Sequence, residues 1–362
     1  MRRPWGVLLD SCDLFIANER NIMKILCLYY SATGNTRRAV ELTRGRLEAS
    51  GSAMDVVEIR KGMPAPAVAG YDGVMIAFPV LSFSPPAFVK RFIRSMPAGG
   101  RLPAYVLAVD GGGGRSAAAQ AVRLLDHRGY RALIGGRAAY PDNWTQAVQP
   151  PRPERIAEMT GRGDAMSVRF ADAVASGKAD GGSADRTFSA LDSFIGFLFG
   201  SVGRRFLGKC YFADDDCNAC GLCVKKCPAG TILLGKGRRA RPFWKADCED
   251  CNACINLCPT RAINTSIGRL IVLISLVAAA GWAGIRAYFM YGKPVFTGIP
   301  PALGAGIDAL AVCAALFLAH ALSIGPFDRY ILRFVQRIPG VRRFFSWTFT
   351  KNWRRYKAQA PR

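Results

Sequence analysis

The chain is poor in acidic residues and in histidine, and both shortages limit the partners and the catalytic residues that it could have. It has 26 aspartates and glutamates against 49 lysines and arginines, which gives a formal net charge of +23. Such a charge favours an anionic partner, namely nucleic acid, a membrane surface or an acidic protein. The only two histidines are His127, at the end of a predicted helix, and His320, in an apolar stretch. We expect His127 to be a capping or surface residue and not a catalytic histidine.

Several motifs are absent as well. The sequence has no Gly-Lys-Ser/Thr phosphate loop and no Gly-x-Gly-x-x-Gly, which argues against nucleoside-triphosphate and dinucleotide sites. No zinc-finger, RNP-like or basic-plus-heptad pattern accompanies the basic residues, so we expect no nucleic-acid partner. The first residues contain no long apolar run because Asp10 and Asp13 interrupt it, so we predict no secretion signal. Residues 1–22 are predicted to be an N-terminal extension or the product of an upstream start.

The length of 362 residues suggests two or three domains. The first part of the chain alternates short apolar runs with amphipathic segments, which predicts an α/β doubly wound parallel sheet. Strands are predicted at 24–30, 54–59, 73–80, 104–109 and 130–139. Helices are predicted at 37–49, 86–94, 116–127 and 155–175.

A loop of small and hydroxyl-bearing residues follows the first predicted strand and precedes the first helix. It consists of Ser31, Ala32, Thr33, Gly34, Asn35 and Thr36. In this order of elements, backbone N–H groups and the helix N-terminus face an anion, and the glycine permits a tight turn. A terminal monophosphate is the predicted ligand. The alternative is a polar turn that only caps the helix.

This loop, together with Phe78-Pro79-Val80 leading to Pro85-Pro86, makes residues 23–177 resemble a flavodoxin. The resemblance implies flavin mononucleotide (FMN), with its phosphate on residues 31–36. The residues that it implies beside the isoalloxazine ring are Leu81, Ser82 and Phe83 from one loop, and Gly111, Gly112, Gly113 and Gly114 from another. Flavodoxins commonly stack a large aromatic residue from the second loop, where this chain has glycines. Phe83 and Trp144 are the remaining candidates for stacking, with local packing as the alternative.

Eight of the twelve cysteines form two identical runs of the form C-x-x-C-x-x-C-x-x-x-C-P. This spacing is typical of 4Fe-4S ligation and differs from zinc sites and paired disulfides. In two-cluster modules the runs exchange their fourth ligands. We therefore assign one cluster to Cys217, Cys220, Cys223 and Cys258, and the other to Cys248, Cys251, Cys254 and Cys227. The thiols indicate a reducing compartment.

A connecting segment separates the two predicted modules. Residues 178–207 are predicted as a Gly/Ser/Asp-rich linker and an amphipathic helix, which packs against a neighbouring module or lies on a membrane. The cluster module is predicted at 208–264. Asp216, Lys225-Lys226 and Pro242-Phe243-Trp244 make residues 23 to about 263 resemble the flavodoxin–ferredoxin fusion proteins of bacteria and archaea.

The C-terminal part has two apolar stretches and a basic end. Residues 270–285 carry no charge, and residues 303–324 are interrupted only by Asp308 and His320. These two are candidate intramembrane polar groups for a proton or quinone role, with a position near the membrane interface as the alternative. We predict a transmembrane hairpin at 265–326, with an interfacial pair as the alternative. Residues 327–362 carry ten basic residues against Asp328, which predicts a solvated, lipid-facing tail in the cytoplasm. The protein is therefore predicted to lie in the cytoplasmic membrane, with its soluble domains facing the cytoplasm.

These features favour a membrane-anchored electron-transfer protein that couples a flavin to two 4Fe-4S clusters. No substrate-converting residues are identifiable, which favours a carrier over a substrate-specific oxidoreductase. Two rivals stay open: an oxidoreductase that reduces a quinone or another small acceptor, and a redox sensor that regulates a partner. The expected partners are a redox protein and membrane lipid, with quinone as a further candidate.

Overall fold

The computed structural model describes residues 23–113, 115–177, 189–235, 237, 240–292 and 300–361. The predicted N-terminal extension and Gly114 lie outside these residues. The described chain forms an α/β module, a small cysteine-rich module and a pair of long apolar helices.

The first module is a five-stranded sheet in the order β2-β1-β3-β4-β5, with every neighbouring pair parallel. The strands are β1 (Lys24–Tyr29), β2 (Ala53–Glu58), β3 (Gly73–Pro79), β4 (Pro103–Asp110) and β5 (Arg131–Ala139). The helices are α1 (Asn35–Ala49), α2 (Ala87–Ser95), α3 (Arg115–His127) and α4 (Pro153–Ser176). This strand order is that of the flavodoxin-like doubly wound fold, so the predicted fold class is confirmed.

Two apolar layers hold the sheet, because successive side chains of a strand point to opposite faces. Leu26 and Leu28 pack on the side of α2 and α3, whereas Ile25 and Cys27 pack on the side of α1 and α4. Covering both faces explains why the first strand is a continuous apolar run. The carboxyl ends of β1, β3 and β4 meet at one edge, where the predicted binding loops lie.

The amphipathic segment between the modules contacts both of them. It consists of α5 (Ala190–Leu198), a π-helical turn (Phe199–Gly203) and α6 (Arg204–Lys209). The hydroxyl of Ser116 in α3 donates to Asp192 Oδ2 at 3.0 Å. The Arg204 guanidinium donates to the carbonyl of Cys248 at 2.8 Å. These contacts are polar, whereas the apolar side chains of the segment are largely exposed, with Leu191, Phe194 and Leu198 at 67%, 61% and 50%. Contact of this apolar face with a membrane therefore stays a prediction.

The cysteine-rich module is built from two small antiparallel pairs, in which β6 pairs with β9 and β7 pairs with β8. Its elements are β6 (Tyr211–Ala213), α7 (Leu222–Lys225), β7 (Ile232–Leu234), β8 (Pro242–Trp244), α8 (Ala253–Leu257) and β9 (Ile263–Thr265). The third cysteine of each run, Cys223 or Cys254, lies in the short helix that follows its loop. The repeated order of loop, helix and strand mirrors the repeated cysteine pattern.

Two long helices follow, α9 (Ile267–Ala287) and α10 (Pro301–Leu322). With their π-helical extensions they form apolar stretches at Ile267–Gly292 and Leu303–Val335, which are long and apolar enough to cross a membrane. Only 11% and 22% of their most apolar windows are buried in the protein, so most of this apolar surface has no protein cover. The helix α9 is longer than the uncharged run of residues 270–285, and it includes Arg269 in its first turn.

Arg269 is accommodated by a buried charge cluster at the base of the helices. Asp328 is fully buried and pairs with both Arg269 and Lys209, the latter with Nζ to Oδ2 at 2.5 Å. Arg269 also donates through Nε to the carbonyl of Lys209 at 2.6 Å. Buried charges require such pairing, and removing one partner typically costs about 3–5 kcal/mol. The cluster therefore ties the cysteine-rich module to the apolar helices.

After α11 (Arg333–Val335) and α12 (Pro339–Phe345), the chain runs back along the soluble modules. Lys351 pairs with Asp214 and Asp216, and the Tyr356 side chain is buried. The prediction of a freely solvated basic tail is therefore wrong for this part of the chain, because acidic groups and loop carbonyls of the modules bind it. Contact between the tail and lipid stays a prediction.

Candidate functional site

The loop between β1 and α1 forms a small pocket at the carboxyl edge of the sheet. Gly34 adopts a φ of +111°, which turns the loop into the helix. The backbone N–H of Arg37 donates to Ser31 Oγ at 3.2 Å, and Asn143 Nδ2 donates to Thr33 Oγ1 at 2.8 Å. Ser31, Ala32, Thr33, Asn35 and Thr36 line the pocket. Gly34 is instead turned toward Ala358.

The environment of the Thr36 hydroxyl indicates whether this pocket fits a phosphate. This hydroxyl is buried, lines the pocket and has no hydrogen-bond partner among the described residues. An unpaired buried hydroxyl is costly, and a phosphate oxygen would satisfy it. The first turn of α1 carries no acidic residue, so the positive end of the helix is not neutralised. Asp110 and Asp142 also line the pocket. The Arg137 guanidinium binds Asp110 at 2.8 Å, and the backbone N–H of Trp144 donates to Asp142 Oδ1 at 3.0 Å. The site therefore fits an anion.

A second pocket of about 330 Å³ adjoins the first at the ends of β3 and β4. Leu81, Ser82 and Phe83 line it, as do Gly111 and Gly113. Ser82 and Phe83 have φ values of +44° and +62°, a conformation that non-glycine residues adopt at a cost and that is common at binding sites. The loop that the flavodoxin resemblance placed beside a ring therefore does border a cavity of suitable size.

The other glycines of the second loop have different positions. Gly112 has a φ of +121°, and its backbone N–H donates to Asp110 Oδ1 at 2.6 Å. It shapes the loop and does not line the pocket. Gly114 lies outside the described residues. The two aromatic candidates, Phe83 and Trp144, both border the pocket, and the Trp144 side chain is half-exposed there.

Sequence reasoning missed one wall of this pocket, which the cysteine-rich module supplies. Asp250 and Asn252, on either side of Cys251, line it together with Phe199 from the connecting segment. Tyr211 donates its hydroxyl to Asp250 Oδ1 at 2.9 Å, and the Trp144 side chain lies beside the same carboxyl. Burial raises the pKa of Asp250 to about 8. The Tyr211 hydroxyl and the Trp144 side chain act in the opposite direction, because hydrogen bonds to the carboxylate lower its pKa.

The eight run cysteines surround two separate cavities. One is lined by Cys217, Cys220, Cys223 and Cys258, and the other by Cys248, Cys251, Cys254 and Cys227. The thiols are thus grouped as the exchanged-ligand pattern predicts. Among the described residues, no three His, Cys, Asp or Glu side chains converge closely enough to hold one metal ion. Thiols spaced around a cavity suit a cubane cluster better than a single zinc ion.

Hydrogen-bond donors surround the thiols. The backbone N–H groups of Thr231 and Asp250 lie 3.4 Å from the sulfurs of Cys227 and Cys248. Burial raises the pKa of the Cys251 thiol to about 12, so ligand binding there must displace a proton. Donors to the sulfurs favour the reduced, more negative state of a cluster.

The flavodoxin-like module and the second cysteine run are joined by polar contacts. Glu249 is buried, and its carboxylate accepts from the backbone N–H groups of Ala87 and Phe88 at 2.9 and 3.2 Å. It therefore caps α2 from across the interface, and Arg204 lies 3.5 Å away as its ion-pair partner. The interface fixes the second cysteine cavity against the edge of the sheet that carries the pockets.

Tyr30 at the end of β1 also reaches this interface. Its side chain is fully buried, and its hydroxyl has no nitrogen or oxygen partner among the described residues. Burial, and then contact with the Cys251 thiol, raises the pKa of Tyr30 well above its usual value. The Tyr30 hydroxyl of the flavodoxin-like module therefore lies beside the Cys251 thiol, a predicted cluster ligand.

We expect Tyr30→Phe to lower the reduction potential of the cluster on Cys251. A hydrogen bond worth about 0.5–1.5 kcal/mol corresponds to about 20–60 mV for one electron. The measurement is a redox titration followed by electron paramagnetic resonance. Tyr105→Phe is the matched control, because Tyr105 is a buried tyrosine of the same sheet whose hydroxyl contacts Met23. Equal potentials in both variants would show that the Tyr30 hydroxyl does not act on the cluster.

The C-terminal segment covers the outer side of the loop between β1 and α1. The backbone N–H of Ala358 donates to the carbonyl of Thr33 at 2.9 Å, and the Tyr356 hydroxyl donates to Asn35 Oδ1 at 2.6 Å. Arg38 in α1 donates to the carbonyls of Gln359 and Ala360. The loop is therefore held from outside while its inner side faces the pocket.

Comparisons with known proteins match the two modules separately. The family model described as a 4Fe-4S dicluster domain matches residues 216–263. No curated protein matches the chain. Similar solved structures are a flavodoxin from the domain Archaea, one from Streptococcus pneumoniae TIGR4 and oxidised Flavodoxin 2 from Bacillus cereus.

The sequence identities to these three structures are 14%, 15% and 19%, and the TM-scores are 0.29, 0.31 and 0.31. The matches cover 41%, 42% and 41% of this chain and 99%, 98% and 98% of those chains. At such scores the assignment of the first module rests on its own strand order. The chain is therefore a redox protein that joins a flavodoxin-like domain to a 4Fe-4S dicluster domain.

Proposed function

We propose that the chain is a membrane-anchored electron relay between an FMN site and two 4Fe-4S clusters. The observation that carries this proposal is a shared wall. Asp250 and Asn252, which flank Cys251, line the pocket of about 330 Å³ at the ends of β3 and β4, called the ring-side pocket below. When bound, FMN exchanges one or two electrons, whereas each cluster exchanges one at a time. The shared wall supports direct exchange between them inside one chain.

The residues around the pocket have separable tasks in this proposal. Ser31, Thr33 and Thr36 would bind the phosphate with the N-terminus of α1. Trp144 and Phe199 would cover the ring and exclude water from its cluster side. Asp250, which Tyr211 holds through one oxygen, would supply a polar group to the ring.

Anaerobic reduction of the detergent-solubilised full chain tests the relay. With a strong one-electron reductant, we expect cluster signals in electron paramagnetic resonance and flavin absorbance to reach a common equilibrium. A flavin that stays oxidised while the clusters are reduced would contradict direct coupling. Loss of coupling without loss of either cofactor would refute the relay and leave both sites in place.

Membrane anchoring is proposed from the two long helices and their exposed apolar side chains. Leu310, Phe317 and Leu318 in α10 and Ile274 and Trp282 in α9 are all more than half-exposed in the protein. Apolar surface of this size in a helical pair requires a cover, and lipid supplies it.

We expect the full chain to remain in the membrane fraction through high salt and alkaline carbonate, and to be released by detergent. Salt removes proteins held by surface charge, because it screens exposed electrostatic contacts. Membrane-embedded helices are insensitive to that screening. Release by salt alone would show that the basic residues, and not the helices, attach the protein.

A further inference from the structure

A cavity of about 920 Å³ lies beside the two cysteine cavities, sharing Tyr211 and Trp244 with the lining of the second and Pro242 with that of the first. It is bounded by β6 and β8 of the cysteine-rich module, by the first turn of α9 and by the segment from α11 to α12. It therefore opens at the junction between the cysteine-rich module and the apolar helices. It shares no lining residue with the ring-side pocket.

The charge of this cavity is strongly one-sided. A single carboxylate, that of Asp215, lines it. Its seven cationic lining residues are Lys209, Arg241, Arg269, Arg333, Arg337, Arg342 and Arg343. Such an excess in a concave site with low-dielectric walls concentrates anions.

The protein's own carboxylates neutralise only part of this charge. Lys209 and Arg269 share Asp328, and Arg342 pairs with Asp215 at 2.7 Å. The remaining three arginines at the segment from α11 to α12 have no carboxylate within ion-pair distance among the described residues. They are Arg333, Arg337 and Arg343. Arg241 also approaches Asp215, at 3.9 Å, so that this one carboxylate is shared by two arginines.

Aromatic rings hold several of these cations in place. Lys209 and Arg333 lie over the ring of Phe243, with distances to the centroid of 4.7 and 4.9 Å. Arg342 lies 5.0 Å above the ring of Phe212. Cation–π contacts orient the charged groups without neutralising them. The cavity is thus an ordered array of donors.

The surroundings indicate what kind of anion fits. An exposed apolar residue directly follows each of the three arginines in the sequence: Phe334 follows Arg333, Ile338 follows Arg337 and Phe344 follows Arg343. The exposed apolar faces of α9 and α10 continue from the same end. A ligand with a phosphate head and apolar chains would satisfy both surfaces, whereas a free phosphate would satisfy only the cavity.

We propose that this basic cavity binds the phosphate-bearing head group of an anionic phospholipid, with the acyl chains along α9 and α10. The inference rests on the membrane anchoring proposed above and adds a specific lipid site to it. Guanidinium groups suit this role because their planar donors bind phosphate oxygens in pairs.

The test compares the detergent-solubilised full chain with its variant Arg333→Gln/Arg337→Gln/Arg343→Gln. We expect wild-type protein to bind phosphatidylglycerol in preference to phosphatidylcholine, and the variant to lose about 100-fold in affinity for phosphatidylglycerol. Native mass spectrometry with each lipid added in turn gives both affinities. The matched control is Arg94→Gln/Arg131→Gln/Arg169→Gln, which removes the same charge from exposed positions of the flavodoxin-like domain.

Each outcome decides the proposal. Equal losses in the two triple variants, or equal binding of the two lipids, would overturn it. Inorganic phosphate or glycerol phosphate that binds as tightly as phosphatidylglycerol would assign the cavity to soluble phosphates and overturn the lipid source. Insertion into pure phosphatidylcholine vesicles reports anchoring by the helices separately, so failure of the lipid site and failure of the anchor are distinguishable.

Discussion

Replacing Cys251 by alanine is expected to remove about four of about eight irons and to disconnect the flavin from the remaining cluster. Cys251 lines the second cysteine cavity and packs against the core of the flavodoxin-like domain. Its neighbours Asp250 and Asn252 line the ring-side pocket. Upon anaerobic reduction, we expect the flavin of Cys251→Ala to stay oxidised during the time in which the wild-type chain equilibrates.

Cys220→Ala is the matched control for this experiment. Cys220 is an exposed ligand of the other cavity, and none of that cavity's lining residues borders the ring-side pocket. Its loss should remove a similar amount of iron but leave exchange between the flavin and the second cluster intact. If Cys220→Ala disconnected the flavin and Cys251→Ala did not, electrons would enter the flavin by a route other than the shared wall.

Replacing Thr36 by valine is expected to change FMN binding and protein stability in opposite directions. The Thr36 hydroxyl is buried without a partner among the described residues, so its removal should leave the free energy of unfolding unchanged or raise it by about 1 kcal/mol. A hydrogen bond to a charged phosphate contributes about 1.5–3 kcal/mol, so the dissociation constant for FMN should rise about 10- to 150-fold. Flavin fluorescence titration and denaturant unfolding of the flavin-free protein measure the two effects.

Thr43→Val is the control in the same helix. Thr43 is equally buried in α1, but its hydroxyl donates to the carbonyl of Ala39 at 2.8 Å and lies outside the pocket. This variant should lose about 0.5–1.5 kcal/mol of stability and bind FMN normally. If both variants bound FMN equally well, the Thr36 hydroxyl would have no role in holding the phosphate.

The strands, the helices and the grouping of the cysteines could be predicted from the sequence, because each depends on a local pattern. The apolar run before Ser31 is long enough for a strand buried on both faces, and the alternation that follows specifies a parallel sheet. The strand and helix limits agree with the structure to within about two residues. The two cysteine runs predicted both cavities because ligand spacing is itself a local property.

The features that the sequence did not reveal depend on contacts between distant segments. Glu249 looks like a spacer between two cysteines, but it caps α2 of the other domain. Asp250 becomes a wall of the ring-side pocket only because the interface places it there. Tyr356 gave no local sign that it would contact Asn35, since basic neighbours suggested a solvated tail. No periodicity or spacing encodes such pairings, so they emerge only from the assembled structure.

The content of iron, acid-labile sulfide and FMN in anaerobically purified full chain tests the central claim most directly. The relay predicts about eight irons and one FMN per chain. Eight irons without FMN, even after incubation with excess FMN, would leave a two-cluster protein without the proposed two-electron site. Zinc in place of iron would contradict the account of the cysteine-rich module itself.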